Sequence, residues 1–123
     1  MNQLVVVLDD DDAVFEAVVK LLEDAGYLVL PLSTADGIMD ELSVTRAAAL
    51  LLDLQTGDPE DGLHVLSQLE QDTALSSMPV LVYSADALQL RELSPHLLAR
   101  GYGVLHKPFD IDKVLQWLHE RLR

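Results

Sequence analysis

The stretch Leu4-Val5-Val6-Val7-Leu8-Asp9-Asp10-Asp11-Asp12 decides the fold. Its first five residues are an unbroken apolar run rich in valine, the pattern of a strand buried on both faces. The four aspartates end that strand. Apolar residues then recur at Val14, Val18, Leu21, Leu22 and Ala25, which is helical spacing. Asp11 or Asp12 is the expected cap of this helix, and Gly26 its expected close.

The same unit recurs along the chain. Residues 27–32 read as a second strand, and Pro31 assigns it to a sheet edge, where a missing N–H costs nothing. Residues 34–42 read as a short helix capped by Ser33 or Thr34. A third strand spans 48–52 and ends at Asp53. Gly57, Asp58 and Pro59 mark residues 55–60 as a loop. Leu63, Leu66 and Leu69, with Val65, give a third helix its apolar face. Met78-Pro79 introduce a fourth strand, 80–83, which stops at Ser84. Residues 87–98 are helical in composition, with Pro95 expected to kink or split them. Residues 102–105 form the fifth strand, followed by His106-Lys107-Pro108. Ile111, Val114, Leu115, Leu118 and Leu122 line a last helix, capped by Asp110.

Strict alternation of strands and helices implies an α/β fold with helices on both faces of a parallel sheet. Right-handed crossovers follow from strand twist. The expected architecture is a doubly wound, flavodoxin-like sheet of five strands in the order 2-1-3-4-5. No repeat, low-complexity tract or linker interrupts it, so residues 1–123 are expected to form one domain. In such a sheet the ligand crevice lies beyond the carboxyl ends of strands 1 and 3. One rim should therefore carry Asp9 to Asp12, Asp53, Ser84 and Lys107.

Composition narrows the function. The 123 residues carry 21 acidic and 8 basic side chains, a formal charge of −13, and no cysteine. Half are hydrophobic, which excludes a disordered acidic tail. The basic residues are scattered, so no stripe offers itself to nucleic acid. Without cysteine there is no disulfide, thiol nucleophile or cysteine zinc site. The longest apolar run, residues 47–52, falls far short of the ~20 residues that span a bilayer. Met1-Asn2-Gln3 leads straight into the first strand without a basic or apolar leader, so a cytoplasmic protein without membrane contact is expected.

The rim residues suit phosphoryl chemistry. Two carboxylates ~4 Å apart repel by about 4 kcal/mol at an effective dielectric of 20, so three of them call for a cation between them or a proton on one. Oxygen ligands alone favour Mg²⁺ or Mn²⁺. Lys107 adds a mobile positive charge and Ser84 a hydroxyl donor. An Asp carboxylate facing a metal, a lysine and a hydroxyl is equipped to accept a phosphoryl group, whose transition state spreads charge over three oxygens. Asp53 is the natural nucleophile, because it stands alone at the end of the central strand.

These residues resemble the receiver domain of two-component response regulators. The resemblance rests on the acidic pair Asp9-Asp10 after the first strand, Asp53 in Leu-Leu-Leu-Asp-Leu, Ser84-Ala85 after Pro-Val-Leu-Val-Tyr, and Lys107-Pro108-Phe109. Each piece is common alone; all four in order, each at a strand end, are not. The resemblance implies that Asp9 and Asp10 bind the divalent ion, with Asp53 and the main-chain carbonyl of Gln55 as further ligands. It implies that Asp53 accepts a phosphoryl group from a phosphohistidine, that Ser84 hydrogen-bonds the phosphate and that Lys107 pairs with it. Pro108 would follow a cis peptide bond. The partners implied are a sensor histidine kinase or phosphotransfer protein. The output face implied is helix 4, strand 5 and helix 5, with a homodimer through that face as a further expectation.

The chain departs from the family pattern in four places. Gly57 stands where the family has proline in Asp-x-x-x-Pro. The loop from Asp53 to Gly62 is about one residue longer, which resembles receivers of hybrid sensor kinases. The segment before Lys107 is about one residue short. Three positions before the lysine the family has Tyr or Phe as a switch; here it is Val104, with Tyr102 two residues earlier. The expected hydroxyl-to-aromatic switch is therefore altered or absent.

Plainer readings exist for single residues. Asp favours helix N-termini and strand ends, which accounts for one or two of the rim aspartates but not all of them. His64, His96, His106 and His119 lack metal-ligand spacing and read as exposed. Gly101 and Gly103 read as turn glycines or glycines that open a strand. Trp117 lies off the last helix's apolar stripe, as half-exposed packing or a partner anchor. Two rival functions stand beside the phosphoacceptor. One is a degenerate receiver serving as a phosphorylation-independent binding module. The other is an aspartate-nucleophile phosphohydrolase built on Asp9-x-Asp11, for which the chain is short.

Overall fold

The computed structural model describes residues 3–58 and 60–122; Met1, Asn2, Pro59 and Arg123 lie outside the described residues, and with them the loop role expected of Pro59. The elements follow in strict alternation: β1 (Leu4–Leu8), α1 (Asp12–Asp24), β2 (Leu28–Leu32), α2 (Ile38–Thr45), β3 (Ala49–Asp53), α3 (Asp61–Gln71), β4 (Val80–Ser84), α4 (Ala87–Ala99), β5 (Gly103–His106) and α5 (Asp112–Arg121). The strands form one sheet in the order β2-β1-β3-β4-β5, all parallel, as the alternation predicts.

Burial follows strand position. Every residue of β3 and β4 is buried, and β1 is buried from Val5 onward. Successive side chains point to opposite faces, so each strand feeds two cores. Val6, Leu8, Leu50, Leu52 and Val82 pack beneath Ile38, Leu42, Val65, Leu69 and Leu90 of α2, α3 and α4. Val5, Val7, Ala49, Leu51, Leu81 and Tyr83 pack against Val18 and Leu22 of α1 and Val114 and Leu118 of α5. β2 is an edge strand and only partly buried, as Pro31 requires.

Asp11 caps α1, its carboxylate accepting from the N–H groups of Ala13 at 3.2 Å and Val14 at 3.5 Å. Several expectations need correction. The second helix starts at Ile38, not near Thr34, and neither Ser33 nor Thr34 caps it. Thr34 Oγ1 accepts from the Asp36 N–H at 3.4 Å and holds a local turn instead. The helix begins where Ile38 and Leu42, one turn apart, reach the core. Pro95 does not split the fourth helix, which runs unbroken through it, held by buried Leu90 and Leu97 on either side. Asp110 is not at the cap position of α5, which is Ile111, although its carboxylate accepts from the Asp112 N–H at 3.0 Å. Leu63 is exposed; α3 buries Gly62, Val65, Leu66 and Leu69. Strands 2, 3 and 5 start one residue later than expected, and strands 3, 4 and 5 run one residue further.

Gly103 opens β5 at a close approach. A Cβ there would lie 2.4 Å from Trp117 Nε1 and 2.7 Å from Leu81 Cδ1, so α5 packs directly onto the strand backbone. Trp117 is half-buried in this contact.

Candidate functional site

Register builds the site. Leu8 lies beside Leu52, which sets Asp9 and Asp53 side by side at adjacent strand ends. Asp53 lies beside Tyr83, and Ser84 beside His106, so the ends of β4 and β5 complete the same rim. One carboxylate oxygen from each of Asp9, Asp10 and Asp53 lies within 4.8 Å of the others. Asp9 and Asp53 are buried and Asp10 is exposed, so the cluster opens to solvent on one side. Asp11 and Asp12 are not part of it.

Each carboxylate is held by the protein. Asp9 Oδ1 accepts from the Asp11 N–H at 2.8 Å, and its Oδ2 from the Tyr83 hydroxyl at 2.9 Å. Asp10 Oδ2 accepts from the Gly57 N–H at 3.1 Å. Asp53 Oδ1 accepts from the Gln55 N–H at 2.9 Å. Lys107 Nζ donates to Asp53 Oδ2 at 2.9 Å and stands 3.6 Å from Asp9 Oδ2. One ammonium facing three carboxylates leaves the pocket short of positive charge. The all-oxygen donor set fits a hard divalent cation such as Mg²⁺ or Mn²⁺.

The electrostatics agree with this crowding. Burial raises the Asp9 carboxyl above its ordinary range, against the lowering effect of the Asp11 N–H and the Tyr83 hydroxyl, with Asp53 raising it further. Burial opposes the charge on Lys107, but its bond to Asp53 and the neighbouring carboxylates outweigh that and hold its pKa above the usual lysine value. Tyr83 is pushed far up by burial and then by Asp9, so it stays a hydroxyl donor.

The donors at the end of β4 already have partners within the chain. Ser84 is buried; its Oγ donates to Gln89 Oε1 of α4 at 3.3 Å and accepts from the Asp86 N–H at 3.0 Å. The Ala85 N–H donates to Gln55 Oε1 at 3.0 Å. The Lys107–Pro108 peptide is cis. Val104 is half-buried against the core under α2, α3 and α4. Tyr102 is buried in that core. Trp117 sits on α5 away from the carboxylates, against Gly103. The four histidines are exposed, and among the described residues none joins the metal-capable group.

Four contributors have no local sequence signal: the Tyr83 hydroxyl, the Gly57 N–H, and the side chains of Gln55 and Gln89. Tyr83 alone could have been found. A tyrosine in a central buried strand must give its hydroxyl a partner, and the rim is the nearest polar region.

A doubly wound sheet that gathers three carboxylates and a lysine at the carboxyl ends of its strands has the donor set to hold a hard cation there. The family model for the response regulator receiver domain matches residues 5–119, and the chain belongs to that family. Receiver domains are the switches of two-component signalling, and they bind Mg²⁺ at an acidic pocket. The chain is 30% identical over 115 residues to the transcriptional regulatory protein CrdR of Helicobacter pylori, covering 93% of this chain and 52% of that protein. It is 29% identical over 120 residues to the DNA-binding dual master transcriptional regulator RpaA of Synechocystis sp., covering 97% of this chain and 48% of that one. It thus spans about half the length of these two relatives. A CheY-like response regulator receiver domain protein from Methanospirillum hungatei JF-1 superposes with a TM-score of 0.83 at 23% identity, over 99% of this chain and 94% of that one, which shows the shared fold. Among the described residues no helix is long and apolar enough to cross a membrane.

Proposed function

We propose that residues 1–123 act as one cytoplasmic receiver domain whose Asp53 accepts a phosphoryl group from a phosphohistidine. The observation that carries this reading is the Asp9, Asp10 and Asp53 cluster with Lys107 bonded to Asp53 at 2.9 Å. Asp9, Asp10 and Asp53, with the Gln55 carbonyl, would hold Mg²⁺ or Mn²⁺. The bound ion supplies neutralising charge to phosphoryl oxygens. An Asp53 oxygen attacks phosphorus in line, the bond from phosphorus to the donor imidazole breaks, and its electron pair stays on the imidazole nitrogen. Lys107 turns from the carboxylate to a phosphoryl oxygen. The product is a phosphorylated switch rather than a turnover enzyme.

Ser84 offers a route to output that needs no aromatic at Val104. Its hydroxyl is bonded to Gln89 of α4, so turning it to a phosphoryl oxygen releases Gln89. The signal then reaches α4, where Leu88 and Leu98 stand 61% and 59% exposed for a protein partner or a second copy. The donor partner is a sensor histidine kinase or phosphotransfer protein. A degenerate binding module would have no need of three mutually repelling carboxylates, two of them buried.

Labelled acetyl phosphate with Mg²⁺ tests the assignment. The wild-type chain should take up label, and chelation should prevent it. Asp53→Asn should take up none; retained label in that variant would sink the reading.

A further inference from the structure

We infer that Tyr83 is a positioning residue for the metal ligand Asp9, an inference that rests on the phosphoacceptor reading above. Tyr83 is wholly buried near the end of the interior strand β4, beside Asp53 in the sheet register. Its ring points into the core under α1 and α5, and its hydroxyl emerges at Asp9 Oδ2, 2.9 Å away. The ring is clamped. Phe109 packs edge-on with centroids 5.3 Å apart, and Lys107 Nζ lies 5.2 Å from the ring centroid. A tyrosine has two side-chain torsions, and this packing fixes both, so the hydroxyl is a rigid strut.

The strut decides how Asp9 presents its oxygens. An ionised carboxylate has about four acceptor positions. The Asp11 N–H takes one on Oδ1, and the Tyr83 hydroxyl takes one on Oδ2 beside Lys107. Bonds to both oxygens lock rotation about the carboxylate axis, and the positions left over serve the pocket shared with Asp10 and Asp53. Packing alone does not require the hydroxyl, because phenylalanine fills the same space. Among the described residues its cost as a buried polar group is met only by this one bond. Outer-shell partners of this kind are typically worth about 10- to 100-fold in metal affinity.

Ion selectivity separates positioning from general packing. Mg²⁺ demands near-ideal octahedral geometry, whereas Ca²⁺ accepts flexible arrangements. Freeing the Asp9 carboxylate should therefore harm Mg²⁺ binding more than Ca²⁺ binding. The experiment titrates the wild-type chain and Tyr83→Phe with MgCl₂ and separately with CaCl₂, following the amide resonances of Asp11 and Gly57. The metal-free spectrum of Tyr83→Phe should keep its core resonances in place. Its Mg²⁺ affinity should fall about tenfold, with a smaller loss for Ca²⁺. Mg²⁺ affinity within twofold of wild type, or equal losses for both ions, would overturn the inference and leave the phosphoacceptor reading standing. A wild-type chain showing no saturable Mg²⁺ response would overturn both.

Discussion

Gly57→Pro restores the residue that the family pattern has at this position, and the geometry says it should be harmful here. Gly57 has φ +74°, in the left-handed region that favours glycine. Proline is locked near −65°, so the loop after Asp53 must rebuild. Proline also has no N–H, so the 3.1 Å bond to Asp10 Oδ2 is lost. That bond is exposed and contributes about 1 kcal/mol net. Rebuilding the loop adds about 1–2 kcal/mol at the least, because even a residue free to take the left-handed position pays that much for its Cβ. The total is a loss of at least about 2–3 kcal/mol, or a urea midpoint lowered by roughly 1–2 M. Gly57→Ala separates the two effects. It keeps the N–H, but its Cβ would meet Asp61 Oδ2 at 2.4 Å, which displaces that carboxylate from its bond to the Asp58 N–H. Alanine should therefore cost about 1–2 kcal/mol and leave Mg²⁺ binding nearer wild type than proline does. Urea unfolding followed by Trp117 fluorescence gives the stabilities, and Mg²⁺ titration gives the affinities. A proline variant as stable as wild type would refute the claim that Gly57 is needed for its conformation and its N–H.

Two further outcomes are expected. The raised Asp9 pKa means that, between the ordinary value of 3.8 and its own, the folded state holds a proton that the unfolded state has released. Metal-free stability should then fall as pH rises through that window, and Asp9→Asn should flatten the fall; parallel slopes for the two proteins in urea titrations with chelator would contradict this. Pro95 cannot donate to the Arg91 carbonyl within α4, so Pro95→Ala should stabilise the chain by about 1–2 kcal/mol. Thermal unfolding should show a rise of roughly 4–8 °C.

What the sequence conveys depends on the range of the cause. β1 is legible because a run of buried valines needs no partner to be named. Asp9, Asp53, Ser84 and Lys107 are legible because strand order alone gathers the ends of parallel strands on one rim. Local competition misleads at α2, where Thr34 looks like a cap but holds a turn, and at α4, where core contacts on both sides of Pro95 outweigh its missing bond. Tyr83 and Gln89 escape notice for another reason. Tyr83 meets Asp9 across 74 positions of sequence, and the Gln89 bond to Ser84 depends on how α4 leaves its turn. Gly57 shows the reverse. Its departure from the family pattern is visible in the sequence, but its bond to Asp10, 47 positions away, is not.

Pro31 has a consequence for how copies of this chain meet. The Leu28 N–H reaches the Gln3 carbonyl, and the Leu32 carbonyl takes the Asp9 N–H, so even-numbered residues of β2 turn their backbone inward to β1. By the alternation of a parallel strand, Val29 and Pro31 turn theirs outward. The sheet's open margin therefore lacks a donor at residue 31. An incoming strand would find a broken ladder there, which guards against edge-to-edge growth into aggregates. A crowded solution of this protein is thereby steered away from fibrous association, and any ordered pairing of two copies must use helical surfaces or the β5 margin.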